Sequence, residues 1–272
     1  MNLDDYHEVK RTKALVYGPP FSGKTTLVGQ LANEGFKLWW FDTEAGIKTL
    51  LKEGILTPEG RKNISVFNIP DSMGVPVAYE AVRQVLRGGD KKFCYDHGVN
   101  ACPICTKLPN ARWSDTINLA KLGEKDIWVV DSLTTVADSA INKLTLKDRQ
   151  KDPEYKLTFN DFGNQGMYMK DILSKVQTTN ANICFIGHQI DAEKSDSKEK
   201  IVPIAGTRNY SLTVAKYWDE VIYMQVLNKK HSAYSSSTWS NTVVTGSRSG
   251  IELEKSPEVS LKSLFLPVEA KK

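Results

Sequence analysis

No apolar run in the chain approaches the roughly 18 residues that a bilayer-crossing helix needs. A membrane span is therefore excluded, and no membrane partner is expected. The first 13 residues, MNLDDYHEVKRTK, mix both charge signs and lack the apolar centre of a secretory signal, so the expected location is cytoplasmic. Cysteine is scarce, with four in 272 residues, and three of these fall between 94 and 105. Clustered cysteines in a reducing compartment suggest a metal before a disulfide. Neither charge sign dominates: a formal net charge of +4 is mildly favourable to a polyanionic partner without requiring one. With 40% hydrophobic and 25% charged residues, the chain is long enough for one substantial core, and a single α/β domain with insertions is expected.

What is present is concentrated toward the N-terminus. Residues 14 to 27 read ALVYGPPFSGKTTL, a short apolar strand that runs through a glycine-punctuated turn into a helical pattern. This is the G-x-x-x-x-G-K-T phosphate-binding loop in the strand–turn–helix context it requires. The loop spans Gly18, Pro19, Pro20, Phe21, Ser22 and Gly23, followed by Lys24, Thr25 and Thr26. Its glycines let consecutive backbone N–H groups turn inward toward a β-phosphate, and the helix N-terminus adds to that field. Lys24 supplies a point charge for the β- and γ-phosphates, and the Thr25 hydroxyl is the expected Mg²⁺ ligand. A nucleotide is thus the expected ligand.

Hydrolysis needs a second carboxylate near magnesium and a group to orient water. Residues 125 to 132, KDIWVVDS, read as a buried parallel strand ending in an acid, which places Asp131 beside the metal. Residues 37 to 44, KLWWFDTE, form a second such strand, with Glu44 at the carboxyl edge where open α/β sheets bind ligands. Glu44 is a candidate to polarise the attacking water, with a capping or solvent-facing role as the alternative.

Cys94, His97, Cys102 and Cys105 stand in the pattern C-x₂-H-x₄-C-x₂-C. Two close pairs suit tetrahedral zinc, and four protein ligands leave no open position, so the expected role is structural. The insertion follows a helical pattern at 77 to 86, which places it at the amino edge of the sheet, opposite the nucleotide. Lys91, Lys92, Lys107, Arg112 and Trp113 lie around it, as a DNA or partner contact or as solvated surface.

Taken together, GPPFSGKTTL at 18 to 27, FDTEAG at 41 to 46 and VVDSLT at 129 to 134 resemble the RecA family of recombinases, in order and in spacing. Residues 64 to 72 are similar to the family's third strand, and 182 to 189 to the strand whose terminal Gln senses the γ-phosphate. His188 stands where the family often has Asn. The resemblance covers roughly residues 12 to 227 and is nearest to the phage-encoded annealing proteins and recombinases. It implies a RecA-like P-loop core with a mostly parallel central sheet and helices on both faces, spanning 1 to 252, with a zinc-knuckle-like insertion at 88 to 113 and a loose tail at 253 to 272. It also implies ATP and Mg²⁺ as cofactors, beside the zinc expected from the cysteine–histidine spacing, with Glu44, Lys24 and Gln189 as catalytic residues and Asp131 as a metal-side ligand. A DNA-dependent ATPase of recombination or annealing is the activity implied, in the cytoplasm of a bacterial host if phage-encoded. Its partners would be single-stranded DNA, further copies with ATP at the interface, and a single-strand-binding or other replication protein.

By position, 142 to 156 corresponds to the family's first DNA loop, carrying Tyr155. The stretch 191 to 210 corresponds to the second, carrying Lys194, Lys198, Lys200, Arg208 and Tyr210. Arg248 is a candidate for a basic residue reaching a neighbour's ATP, or an ordinary turn arginine. An edge strand is expected over 238 to 245. The alternatives are a nucleotide-gated loader of another protein onto DNA, or a small-molecule kinase. The kinase lacks its arginine-rich lid here, and GTP is disfavoured because no Asn-Lys-x-Asp stretch follows a strand.

Overall fold

A computed structural model of the chain describes residues 11–192, 200–236, 240–251, 253 and 260–266. Strands run over Lys13–Gly18 (β1), Lys37–Asp42 (β2), Ile64–Asn68 (β3), Asp126–Asp131 (β4), Asn182–Ala192 (β5), Lys200–Pro203 (β6), Glu220–Leu227 (β7), Lys230–Tyr234 (β8) and Gly246–Ser247 (β9). The α-helices are Lys24–Gly29 (α1), Pro58–Lys62 (α2), Ala78–Leu86 (α3), Leu133–Lys151 (α4), Phe159–Thr178 (α5), Arg208–Ser211 (α6) and Lys262–Phe265 (α7). No described helix is long and apolar enough to cross a membrane.

Apolar residues at adjacent strand positions send alternate side chains to opposite faces of a sheet. In β1, Leu15 and Tyr17 join the core beneath α3, α4 and α5, while Ala14 and Val16 join the core beneath α1. The pairs Trp128/Val130 against Ile127/Val129, and Phe185/Ile183 against Cys184/Ile186, divide in the same way. The strands are near-continuously hydrophobic because both faces are covered, as in parallel sheets generally. Among the described residues the order is β3-β2-β4-β5-β1-β7-β8, parallel from β3 to β7, with β8 antiparallel. β6 and β9 pair antiparallel with β5 and β7. This is the mostly parallel α/β fold, helices on both faces, that the sequence led us to expect.

Several local expectations change. Residues 142 to 151 continue α4 rather than forming a loop, since no Gly or Pro interrupts them and the helix ends just before Asp152-Pro153. A Thr158–Asp161 capping box then starts α5. β5 extends through Asp191 and returns as β6, so the second loop is a hairpin; Lys194 and Lys198 lie outside the described residues. Of the expected edge strand, Thr238 and Trp239 lie outside them too; in the rest, Val243 makes an isolated bridge to Ile201, and Gly246–Ser247 forms the pairing instead. The tail is not loose where described. Leu261, Leu264 and Phe265 are buried in the α1-side core, because three apolar residues in five cannot stay in water when an uncovered hydrophobic face is adjacent.

The cysteine-bearing insertion is also relocated. After α3 the chain turns at Gly88 and Gly89, both with positive φ, and climbs back past the edge strand β3 as a ribbon bridged at Lys91–Ile117 and Cys94–Trp113. Asn68 Nδ2, at the carboxyl end of β3, donates to the Tyr95 carbonyl at 2.8 Å. The ribbon therefore brings the cysteines to the carboxyl edge, not the amino edge.

Candidate nucleotide site and metal-ligand cluster

β1 ends at Gly18, where a β-carbon would collide with the Met224 carbonyl oxygen of β7, so only glycine lets these strands close up under the loop. Phe21 and Gly23 take positive φ (61° and 92°) and curl the chain into α1. Lys24 is buried, and its Nζ donates to the carbonyls of Gly18 (3.1 Å) and Pro19 (2.8 Å). Burial pulls its pKa down to about 8, against the opposing charges of Asp131 and Glu44.

Thr25 Oγ1 donates to Asp131 Oδ2 at 3.1 Å, bringing the two expected magnesium ligands together from the first turn of α1 and the end of β4. Asp131 is buried; burial first, then the Glu44 charge, push its pKa up to about 7. Together these are hard oxygen donors of the kind Mg²⁺ takes, and the raised carboxyl pKa marks a site that a cation would relieve. The Thr43 amide and hydroxyl both donate to the Asp131 carbonyl, and Thr43 Oγ1 accepts from Ser132 N, locking β2 to β4 at their ends.

Glu44 follows directly. Its Oε1 accepts from Ser132 Oγ and from Thr135 Oγ1 (2.6 Å), and its Oε2 lies 3.1 Å from His188 Nε2. Burial alone would raise this carboxyl; the hydrogen bonds from His188, Ser132 and Thr135 outweigh it and bring the pKa down to about 2. Glu44, Lys24, Thr25, Thr26, Phe21, Gly23, Asp131 and His188 all line one cavity of about 400 Å³, within the range of small-ligand sites.

Gln189 is not among the residues lining that cavity. Alternation along β5 turns it away from His188, and its Oε1 accepts from Tyr223 Oη at 3.0 Å. His188, whose backbone N donates to Thr134 Oγ1, holds the position beside Glu44 instead. Sequence reading missed His231 on β8. Its Nδ1 donates to the Ser22 carbonyl at 2.8 Å and sits against Gly23, and no motif flags a histidine on an antiparallel edge strand. Arg248 lies at the amino edge of β7, paired with Asp219 (3.6 Å) and donating to the Lys216 carbonyl, as a turn arginine would be.

The ligand atoms of Cys94, His97, Cys102 and Cys105 all lie within 4.8 Å of one another, with His97 Nδ1 3.2 Å from Cys105 Sγ. Tetrahedral zinc, with Zn–S near 2.3 Å, sets its ligands roughly 3.5–3.8 Å apart, so this donor set fits. Gly98, at φ 62°, lies so close to β3 that a β-carbon would sit 2.8 Å from Ile69 Cα; the cluster is therefore seated directly on the sheet.

Comparison with curated proteins found no match. A family model described as "AAA domain" matches residues 10–259, which takes in the phosphate loop, Glu44, Asp131, the cysteine cluster and every strand among the described residues. The chain belongs to this AAA-domain family and is a P-loop ATPase by fold and family.

Proposed function

We propose that this ATPase couples ATP hydrolysis to binding of single-stranded DNA in recombination or annealing, as in the phage-encoded RecA-like proteins it resembles. The observation that carries the reading is the Glu44–His188 contact. It joins the carboxylate facing the phosphate loop to the strand that continues into the β5–β6 hairpin, the position of the family's second DNA loop.

In this reading Lys24 and the loop amides hold the β- and γ-phosphates. Thr25 and Asp131 would hold magnesium, which neutralises charge on the phosphate oxygens when bound. Glu44, held ionised by its three hydrogen-bond donors, accepts a hydrogen bond from the attacking water and orients it. Any shift of Glu44 as phosphate is lost reaches His188, and through it the hairpin. Gln189 acts beyond the cavity, at the root of that hairpin. The Cys94–His97–Cys102–Cys105 cluster would hold zinc in a structural role, stapling the 88–113 insertion beside β3, and purified protein should carry about one zinc per chain.

The test is ATP turnover with and without single-stranded DNA at two salt concentrations. Stimulation that weakens as salt rises supports the reading, because phosphate contacts are salt-sensitive. A DNA-indifferent rate with no DNA binding in ATP would overturn it, in favour of loading another protein or of small-molecule phosphorylation.

A further inference from the structure

Beside β3 the insertion ribbon encloses an open groove of about 420 Å³ that is separate from the phosphate-loop cavity. It is lined by Asp90, Lys91, Lys92, Asn100, Trp113 and Thr116, among others. Trp113 is half-buried: it packs against the buried cysteine cluster and also lines the groove. The indole is therefore held in place by the metal-ligand cluster rather than swinging in solvent.

The charges around it are unequal. Asp90 is already neutralised, accepting from Lys121 Nζ at 2.8 Å and from Asn118 Nδ2 at 2.7 Å. Arg112, next to Trp113, is engaged by Asp96 and by the Tyr95 ring. Lys91 and Lys92 make no ion pair among the described residues. Asn100 Oδ1 accepts from Lys92 N at 3.0 Å, which commits its carbonyl and leaves its amino group as a donor. A fixed aromatic plane, two cations without an ion pair among the described residues, and an amide donor in an open groove suit a ligand that is planar and anionic by turns and passes through.

We infer that this groove is a single-stranded nucleic-acid subsite, with Trp113 stacking a base and Lys91 and Lys92 holding the adjoining phosphates. The inference rests on the single-strand reading above and adds a place where the strand is gripped, on the insertion ribbon itself rather than in either family loop. An acidic protein segment is the competing occupant; it would use the lysines but gain little from the indole face.

The experiment is fluorescence anisotropy of a labelled oligothymidine with the full chain, its zinc content and DNA-free ATP turnover measured alongside. Trp113→Ala should weaken binding about tenfold, and Trp113→Phe should keep most of the affinity, since stacking needs only a π-face. The pair Lys91→Ala/Lys92→Ala should flatten the salt dependence by about 1.4 in log–log slope, at about 0.7 per phosphate contact. Variants that bind like the unaltered chain while it binds oligothymidine well would overturn the subsite and leave the single-strand reading standing. An unaltered chain that binds none would overturn both. If Trp113→Ala loses its zinc, the lysine pair, exposed or half-exposed, decides. Competition by polyglutamate as effective as by unlabelled oligothymidine would reject the nucleic-acid assignment.

Discussion

At the scale of single residues, the site is governed by which charges are solvated and which are held. Glu44 keeps its charge because three donors meet it, Ser132 and Thr135 from the start of α4 and His188 from β5. Glu44→Gln should leave nucleotide affinity within a few fold and slow hydrolysis by about 10² to 10⁴, the usual span for a positioned acid–base group; single-turnover kinetics reads both. Lys24 carries the opposite problem, a cation half-stripped of water and lowered to about 8. As pH rises through that value the side chain loses its proton, so affinity for an ATP analogue should fall between pH 7 and 9. Titration calorimetry showing a flat profile would mean that the lysine stays charged or does not face the phosphates. The phosphate loop, Asp131 and Glu44 were legible in the sequence because their chemistry demands fixed spacing. His231 was not, because its tie to the Ser22 carbonyl joins residues 209 apart through a strand pairing that no local pattern announces.

At the scale of elements, the strands were easier to read than the segments that join them. Apolar runs bounded by acids or glycine mark buried parallel strands, and β1, β2, β4 and the first part of β5 were recognisable on that ground. The charged stretch after β4 misled, since Lys, Asp, Arg and Gln are as much at home on the exposed face of a helix as in a loop. The start of α5 did carry a local signal, Thr158 followed three residues later by Asp161. Thr158 Oγ1 accepts from Asp161 N, and Asp161 Oδ2 accepts from Thr158 N at 2.7 Å and from Tyr155 Oη at 2.7 Å. Thr158→Ala should cost about 1 kcal/mol in urea denaturation, with a change below a few tenths indicating that the helix start frays regardless. The insertion was misplaced for a different reason: motif spacing identified its ligands, but only the double-glycine turn at 88 and 89 reverses the ribbon.

At the scale of the molecule, two cores share one sheet, and the segment furthest along the described chain helps to close one of them. Phe265 stacks edge-on to Phe36 with ring centroids 6.3 Å apart, and Thr12 Oγ1 donates to the Leu264 carbonyl at 2.6 Å. Phe265→Ala should therefore destabilise by about 3 kcal/mol, as large-to-small core changes do; a loss under 1 kcal/mol in chemical denaturation would show that the segment merely rests on the surface. The sequence suggested a tail there, because its apolar residues are scattered among charged ones without the regular spacing that marks an element.

The central position of β1 has a consequence in time as well as in space. Both neighbours of this strand are encoded far downstream: Thr12 is bonded to Asn182 across 170 residues, and Lys13 to Asp219 across 206. At about 5–20 residues per second, a ribosome needs on the order of 10–40 s to deliver those partners. During that interval a strand that is buried throughout in the finished fold, and the loop behind it, lack their sheet partners, so the nascent chain needs shelter, and nucleotide cannot stabilise it until translation is nearly over.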